Sequence, residues 1–177
     1  MGMFGRFLHW KPKVALHHLR VEEGTYKGLR LHLRFEEDGG GVLIINASRV
    51  LFLNRTAAEY VDSFLEGESE EAAVKRIRRR YKVDAETARK DYQDALFVIN
   101  TFAKTPDICP VSYLGVEKLE PFERELSAPY RMDLAITYRC NNKCLHCYAG
   151  GSRETDELTA QKWFAVMDEL FKRGVPH

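Results

Sequence analysis

Between Leu29 and Lys104 the apolar residues change their spacing from every second position to every third or fourth, and the change falls at one place, Asn54. In Leu29-Arg30-Leu31-His32-Leu33-Arg34-Phe35 every second residue is apolar, the pattern of a strand with one buried and one wet face. Glycines 39 to 41 supply a turn, after which Val42–Ile45 and Val50–Leu53 flank the polar stretch Asn46–Arg49, which predicts a hairpin. Past Asn54, Thr56 to Glu59 fits a capping box, Val61, Phe64 and Leu65 continue an apolar helix face, and Gly67 stops it. Ser69 then caps a second helix. Glu70 and Glu71 open it, basic residues close it, and Val74, Ile77 and Tyr81 line one side. Asp84 caps a third, longer helix with Ala88, Tyr92, Ala95, Ile99 and Phe102 at helical spacing. Strands followed by three helices predict one small α+β domain over residues 1–104.

A composition of 45% hydrophobic and 30% charged residues in 177 positions suits one or two soluble domains rather than a disordered tail. The 27 Lys and Arg nearly cancel the 26 Asp and Glu, so no overall basic field draws the chain to nucleic acid or an anionic membrane. No apolar run approaches a membrane span of about eighteen residues, and Arg6, His9, Lys11 and Lys13 interrupt any secretory segment. A cytoplasmic protein without a membrane partner is expected. Four of the six prolines, Pro106, Pro110, Pro121 and Pro129, fall in residues 105–130 and predict an extended linker. Beyond it, Met132–Thr137 reads as a strand, and a helix follows from about Thr159 to Arg173 with Gly174 as its stop. Trp163, Phe164, Met167, Leu170 and Phe171 form its apolar stripe, and Val175 begins a second strand. Strand, loop, helix, strand over residues 131–177 is a βα unit of a parallel sheet.

Three of the four cysteines, Cys140, Cys144 and Cys147, stand within eight residues, a crowding that suits a metal site in a reducing compartment better than a disulfide framework. Three thiolates so spaced can hold three irons of a cubane cluster and leave the fourth without a protein ligand. The C-x3-C-x2-C spacing, placed after a predicted strand and flanked by Asn141, His146 and Tyr148, resembles the radical S-adenosylmethionine (radical SAM) enzymes. The resemblance implies a 4Fe-4S cluster on Cys140, Cys144 and Cys147, S-adenosylmethionine chelated to the open iron, and an electron donor that reduces the cluster. It also implies that His146 and Tyr148 line the cofactor. The same thiols with His146 suit a structural zinc site, although no second pair of cysteines exists to complete the usual knuckles. Cys109 reads as a plain thiol, and the neighbouring His17 and His18 as solvated or structural residues on opposite faces of a strand.

The order hairpin, Leu53-Asn54-Arg55-Thr56-Ala57-Ala58, then three helices broken at Gly67, resembles the PqqD-like domain over roughly Leu29 to Lys104. That resemblance implies a winged-helix-like fold that recognises the leader of a precursor peptide as an added strand at the sheet edge, against the third helix. Val50 and Phe52 on the second hairpin strand, with Arg89 and Tyr92 on the third helix, are the expected contacts. Residues 55–104 carry ten basic and ten acidic side chains, which disfavours the alternative of a DNA reader despite the basic run Lys75–Arg80.

Together these features predict a winged-helix-like domain fused to the start of an α/β radical SAM partial barrel that modifies a ribosomally made peptide. Such barrels carry a Gly-Gly-Glu segment at the end of the second strand, which this sequence does not reach, and a parallel barrel takes about 200 residues or more. The chain is therefore expected to be part of a longer enzyme, or a truncated reading frame, and too short to act alone. The alternative is a non-catalytic peptide-binding or adaptor module whose cysteine loop is vestigial or holds zinc.

Overall fold

The computed structural model describes residues 16–22, 27–46, 48–105, 107–115, 125–148 and 156–176. The chain forms two units, Met1–Ser127 and Ala128–His177. In the first, β1 (Leu16–Arg20), β2 (Arg30–Phe35), β3 (Gly41–Ile45) and β4 (Arg49–Leu53) make an antiparallel sheet in sequence order. Leu33 faces Leu43 across β2 and β3, and Leu43 faces Leu51 across β3 and β4, so the alternation of each strand brings its leucines to one face. That face packs with Ala58 and Val61 of α1 (Arg55–Leu65) and Ile99 and Phe102 of α3 (Ala85–Lys104). Fully burying each large apolar side chain contributes about 1.5–3 kcal/mol, so the β2 and β3 residues dominate the stability of this unit. A second cluster joins Tyr60, Ala73, Val74, Ile77, Ala88 and Tyr92 between α1, α3 and α2 (Glu70–Arg80).

The turns and caps follow from local chemistry. Gly39, at φ +84°, sits in the β2–β3 turn, in a left-handed conformation that favours glycine, and a Cβ there would also push the end of the Arg55 side chain aside. Ser69 accepts the Ala72 N–H, as its spacing predicts. The cap of α1 differs from expectation. Asn54, rather than Thr56, accepts the Ala57 N–H at 2.9 Å, because the amide oxygen one residue before the helix reaches that N–H while Thr56 already lies within the first turn.

At the start of α3, Asp84 accepts the Thr87 N–H at 2.8 Å and the Thr87 hydroxyl at 2.7 Å. These bonds hold its carboxyl below the usual aspartate range. A depressed folded-state pKa contributes stability that is complete above the ordinary range and is lost as pH falls through the folded value. Thermal midpoints measured between about pH 5 and pH 2 should therefore fall less steeply in Asp84→Asn, which keeps a cap but does not titrate. Parallel curves for the two proteins would contradict the assignment.

The stretch expected as an extended linker is not extended throughout. It carries α4 (Pro110–Leu114), with Pro110 in the first turn, where a missing N–H costs nothing. Tyr113 meets Phe102 edge-to-face at 5.8 Å, Ile108 and Leu114 pack against the sheet core, and the Ser127 N–H donates to Glu36 at 2.7 Å. The apolar residues Ile108, Tyr113 and Leu114 override the prolines around them.

In the second unit, α5 (Ala160–Lys172) starts on Thr159 and is followed by Gly174 at φ +86°, as expected. Its apolar stripe is not buried: Phe164, Met167 and Phe171 are exposed. The strand expected over Met132–Thr137 is not formed, and Val175 and Pro176 form none either. A parallel strand exists only through neighbours that accept and donate its main-chain bonds, and none stands beside it among the described residues. No helix among the described residues is long and apolar enough to cross a membrane.

Candidate functional site

Among the described residues β4 is the outermost strand on its side of the sheet. The Asn46 N–H donates to Arg30 and the Glu36 N–H to Gly40, both at 2.9 Å, which fixes the hydrogen-bonded pairs between β2 and β3. Main-chain direction alternates along an antiparallel strand, so Val42 and Ile44 bond toward β2 while Leu43 and Ile45 bond toward β4. Their partners Leu51 and Arg49 bond inward in turn, and Val50 and Phe52 turn their N–H and C=O groups away from β3. The side chains of these two residues lie on the face opposite Leu51. Val50 is half-buried and Phe52 is 37% exposed.

The other two expected contacts occupy the first half of α3. Arg89 is exposed and pairs with Glu70 of α2 at 2.9 Å. Tyr92 is 5% exposed and meets Tyr60 edge-to-face at 5.9 Å, so it is a core residue rather than a surface one. Burial, then the negative charges of Glu70 and Glu68, raises its phenol pKa and keeps it neutral. The structure thus brings Val50 and Phe52 together on β4, and Arg89 and Tyr92 together beside α1 and α2.

Sequence reasoning passed over two residues of this region, and one of them ties strand to helix. Arg49, read as part of a polar turn, is the buried first residue of β4; its guanidinium donates to the carbonyls of Phe102 at 3.0 Å and Thr105 at 3.1 Å. A cation at the carboxyl end of α3 complements its dipole and satisfies orphan carbonyls. Phe97, 60% exposed, projects from the same helix. At the far end of β4 an open cleft of about 580 Å³ is lined by Asp38, Gly40, Phe52, Leu53, Asn54 and Arg55. Behind it, Glu59 accepts from Arg80 and from the Tyr81 hydroxyl, each at 2.8 Å; burial and this carboxylate push the Tyr81 phenol up to about 12.

The cysteine loop lies in the second unit. Cys140 and Cys144 are exposed and Cys147 is half-buried, and none of the three is in a disulfide. The Cys147 N–H donates to the Cys144 carbonyl at 3.3 Å and the Asn142 N–H to the Cys140 sulfur at 3.4 Å, while the three sulfurs do not all lie within 4.8 Å of one another. Thr137 bonds to Glu157, and Arg139 pairs with Glu157 at 3.2 Å, anchoring the loop entry to the segment before α5. His146 and Tyr148 are exposed beside the thiols. Three reachable soft donors on one loop, one already receiving an N–H, fit an iron–sulfur cluster by donor chemistry.

Residues 40–97 match the family model for coenzyme PQQ synthesis protein D (PqqD). The chain is 42% identical over 58 residues to mycofactocin maturase MftC of Mycolicibacterium smegmatis (strain ATCC 700084 / mc(2)155), covering 32% of this chain and 15% of that relative. It is 40% identical over 58 residues to the Mycobacterium tuberculosis protein of the same name and 38% to that of Mycobacterium ulcerans (strain Agy99). The matched segment therefore spans about one-sixth of the length of these curated relatives. No solved structure matches the chain. The small antiparallel sheet followed by helices is a PqqD-like domain.

Proposed function

We propose that this chain is the peptide-recognition part, with the cluster-binding loop, of a radical SAM enzyme that modifies a ribosomally made peptide. The observation that carries the proposal is β4, inside the PqqD match, with the main-chain groups of Val50 turned away from the sheet. A precursor leader laid along that strand gains main-chain pairing from Val50, and the side chains on the same face, Val50 and Phe52, choose among sequences. Arg89 contributes from the exposed face of α3, and Tyr92 acts from beneath by fixing α3 against Tyr60. Joined to the cysteine loop in one chain, such a domain raises the effective concentration of the peptide beside the chemistry.

On this reading the thiolates of Cys140, Cys144 and Cys147 hold a 4Fe-4S cluster, and His146 and Tyr148 line S-adenosylmethionine. When bound, that pair supplies one-electron, hydrogen-abstracting chemistry. The chain itself binds and orients the peptide. Exposed thiols exclude water poorly, so residues 1–177 alone should cleave S-adenosylmethionine weakly or not at all.

The test is a titration of the chain with a labelled leader taken from a short reading frame beside its gene. Micromolar affinity or better is expected, about 8 kcal/mol, without iron or S-adenosylmethionine. Proline at position 50 deletes an outward N–H without touching the β3–β4 ladder, so Val50→Pro should weaken binding by about 1–3 kcal/mol, some five- to hundredfold. Arg89→Glu tests the helix face. Salt should matter little; a chain that ignores every such peptide yet binds duplex DNA with steep salt dependence would overturn the proposal in favour of a DNA reader.

A further inference from the structure

His17 of β1 and the pair Asp62 and Glu66 of α1 form, among the described residues, the one group of three potential metal ligands whose donor atoms all lie within 4.8 Å of one another. The grouping comes from three separate features of the fold. Strand alternation turns His17 to the face that carries Leu33, whereas His18 turns to the other face and meets His32. Spacing of four residues stacks Asp62 and Glu66 on one side of α1. They stand at its carboxyl end, where unsatisfied carbonyls favour a cation.

The separations are those of ligands around one ion. The His17 Nδ1 atom lies 2.9 Å from Glu66 Oε1 and 3.4 Å from Asp62 Oδ1. Zinc bonds of 2.0–2.2 Å place neighbouring donors about 2.9 Å apart at a right angle and about 3.4 Å apart at the tetrahedral angle. A simple ion pair accounts for less. The single Nδ1 hydrogen serves Glu66, while Asp62 Oδ1 is buried without a hydrogen-bond partner. Asp62 Oδ2 is already held by Arg76 at 3.2 Å, which fixes the carboxylate as an outer partner fixes a ligand. Asp62 and Glu68 share the one Arg76 guanidinium, and Glu66 adds a further carboxylate, so the negative charge left over favours a divalent ion. Glu66, half-exposed, leaves a coordination position open to water.

We propose that His17, Asp62 and Glu66 bind a divalent transition-metal ion of the zinc class, which clasps β1 to α1. The site is independent of the cysteine loop, and its test removes that loop's thiols. The full chain carrying C140S, C144S and C147S should take up about one equivalent of Co²⁺, with ligand-field absorption and no sulfur-to-cobalt charge transfer, and Zn²⁺ should displace it. Zn²⁺ should also raise the thermal midpoint of this protein. Glu66→Gln, at an exposed position that leaves the fold intact by circular dichroism, should weaken Co²⁺ binding more than about tenfold, as should His17→Ala. Absence of Co²⁺ uptake by the thiol-free chain, or uptake undiminished in Glu66→Gln, would overturn the proposal.

Discussion

Replacing Glu36 with Ala should cost about 3–5 kcal/mol of folding free energy, the loss expected when one partner of a buried ion pair is removed. Arg34 and Glu36 are 0% and 4% exposed at their side chains and bond at 2.7 Å. The Glu36 carboxylate also accepts the Ser127 N–H, so its loss takes a charged partner from the Arg34 guanidinium and the acceptor from an amide. Domain stabilities run to about 5–15 kcal/mol, so this single change should move the urea midpoint by a large fraction of its value. Glu36→Gln separates charge from shape, because it retains an acceptor for Ser127. A cost below about 1 kcal/mol for Glu36→Ala would show that the pair is not buried in solution.

Replacing Cys144 with Ala should abolish iron binding. Anaerobically reconstituted wild-type chain should hold about four irons, with broad visible absorption from thiolate-to-iron charge transfer, because three clustered thiolates suit a cubane and two do not. Analysis for iron and sulfide, with the absorption spectrum, reads the outcome. A colourless protein holding one tight zinc after the same treatment would assign the loop to a structural site and leave the chain a peptide adaptor.

Interactions that close within a few residues were legible in the sequence. The β3–β4 hairpin, the caps at Ser69 and Asp84, the start of α5 at Thr159 and the stops at Gly67 and Gly174 all join neighbours, so spacing alone announces them, whereas the wet face expected of β2 buries Arg34 completely. Even there the Thr56 box misled, because Asn54 can cap through the Ala57 N–H and Thr56 through the Glu59 N–H, and only the backbone decides at which residue the helix starts. Long-range partners were not legible. Arg49 reads as a turn residue because the carbonyls that bury it lie 53 and 56 positions away. Tyr92 has the periodicity of a helix face, but whether that face meets a peptide or Tyr60 depends on where α1 lies. His17 carries no ligand spacing at all; its carboxylates stand on another element. Met132–Thr137 has the composition of a strand, yet a strand is a property of a pair, and no neighbour pairs with it among the described residues.

Docking on β4 is tested most directly by amide hydrogen exchange of the whole chain with and without its precursor leader. The Val50 N–H points away from β3 and is half-buried at most by its side chain, so it should exchange faster than the Leu51 N–H in the peptide-free chain. Added peptide should slow Val50 markedly and leave the already protected Leu43 and Leu51 unchanged. Peptide-induced protection that spares β4, or none at peptide concentrations that saturate binding, would contradict recognition at this edge.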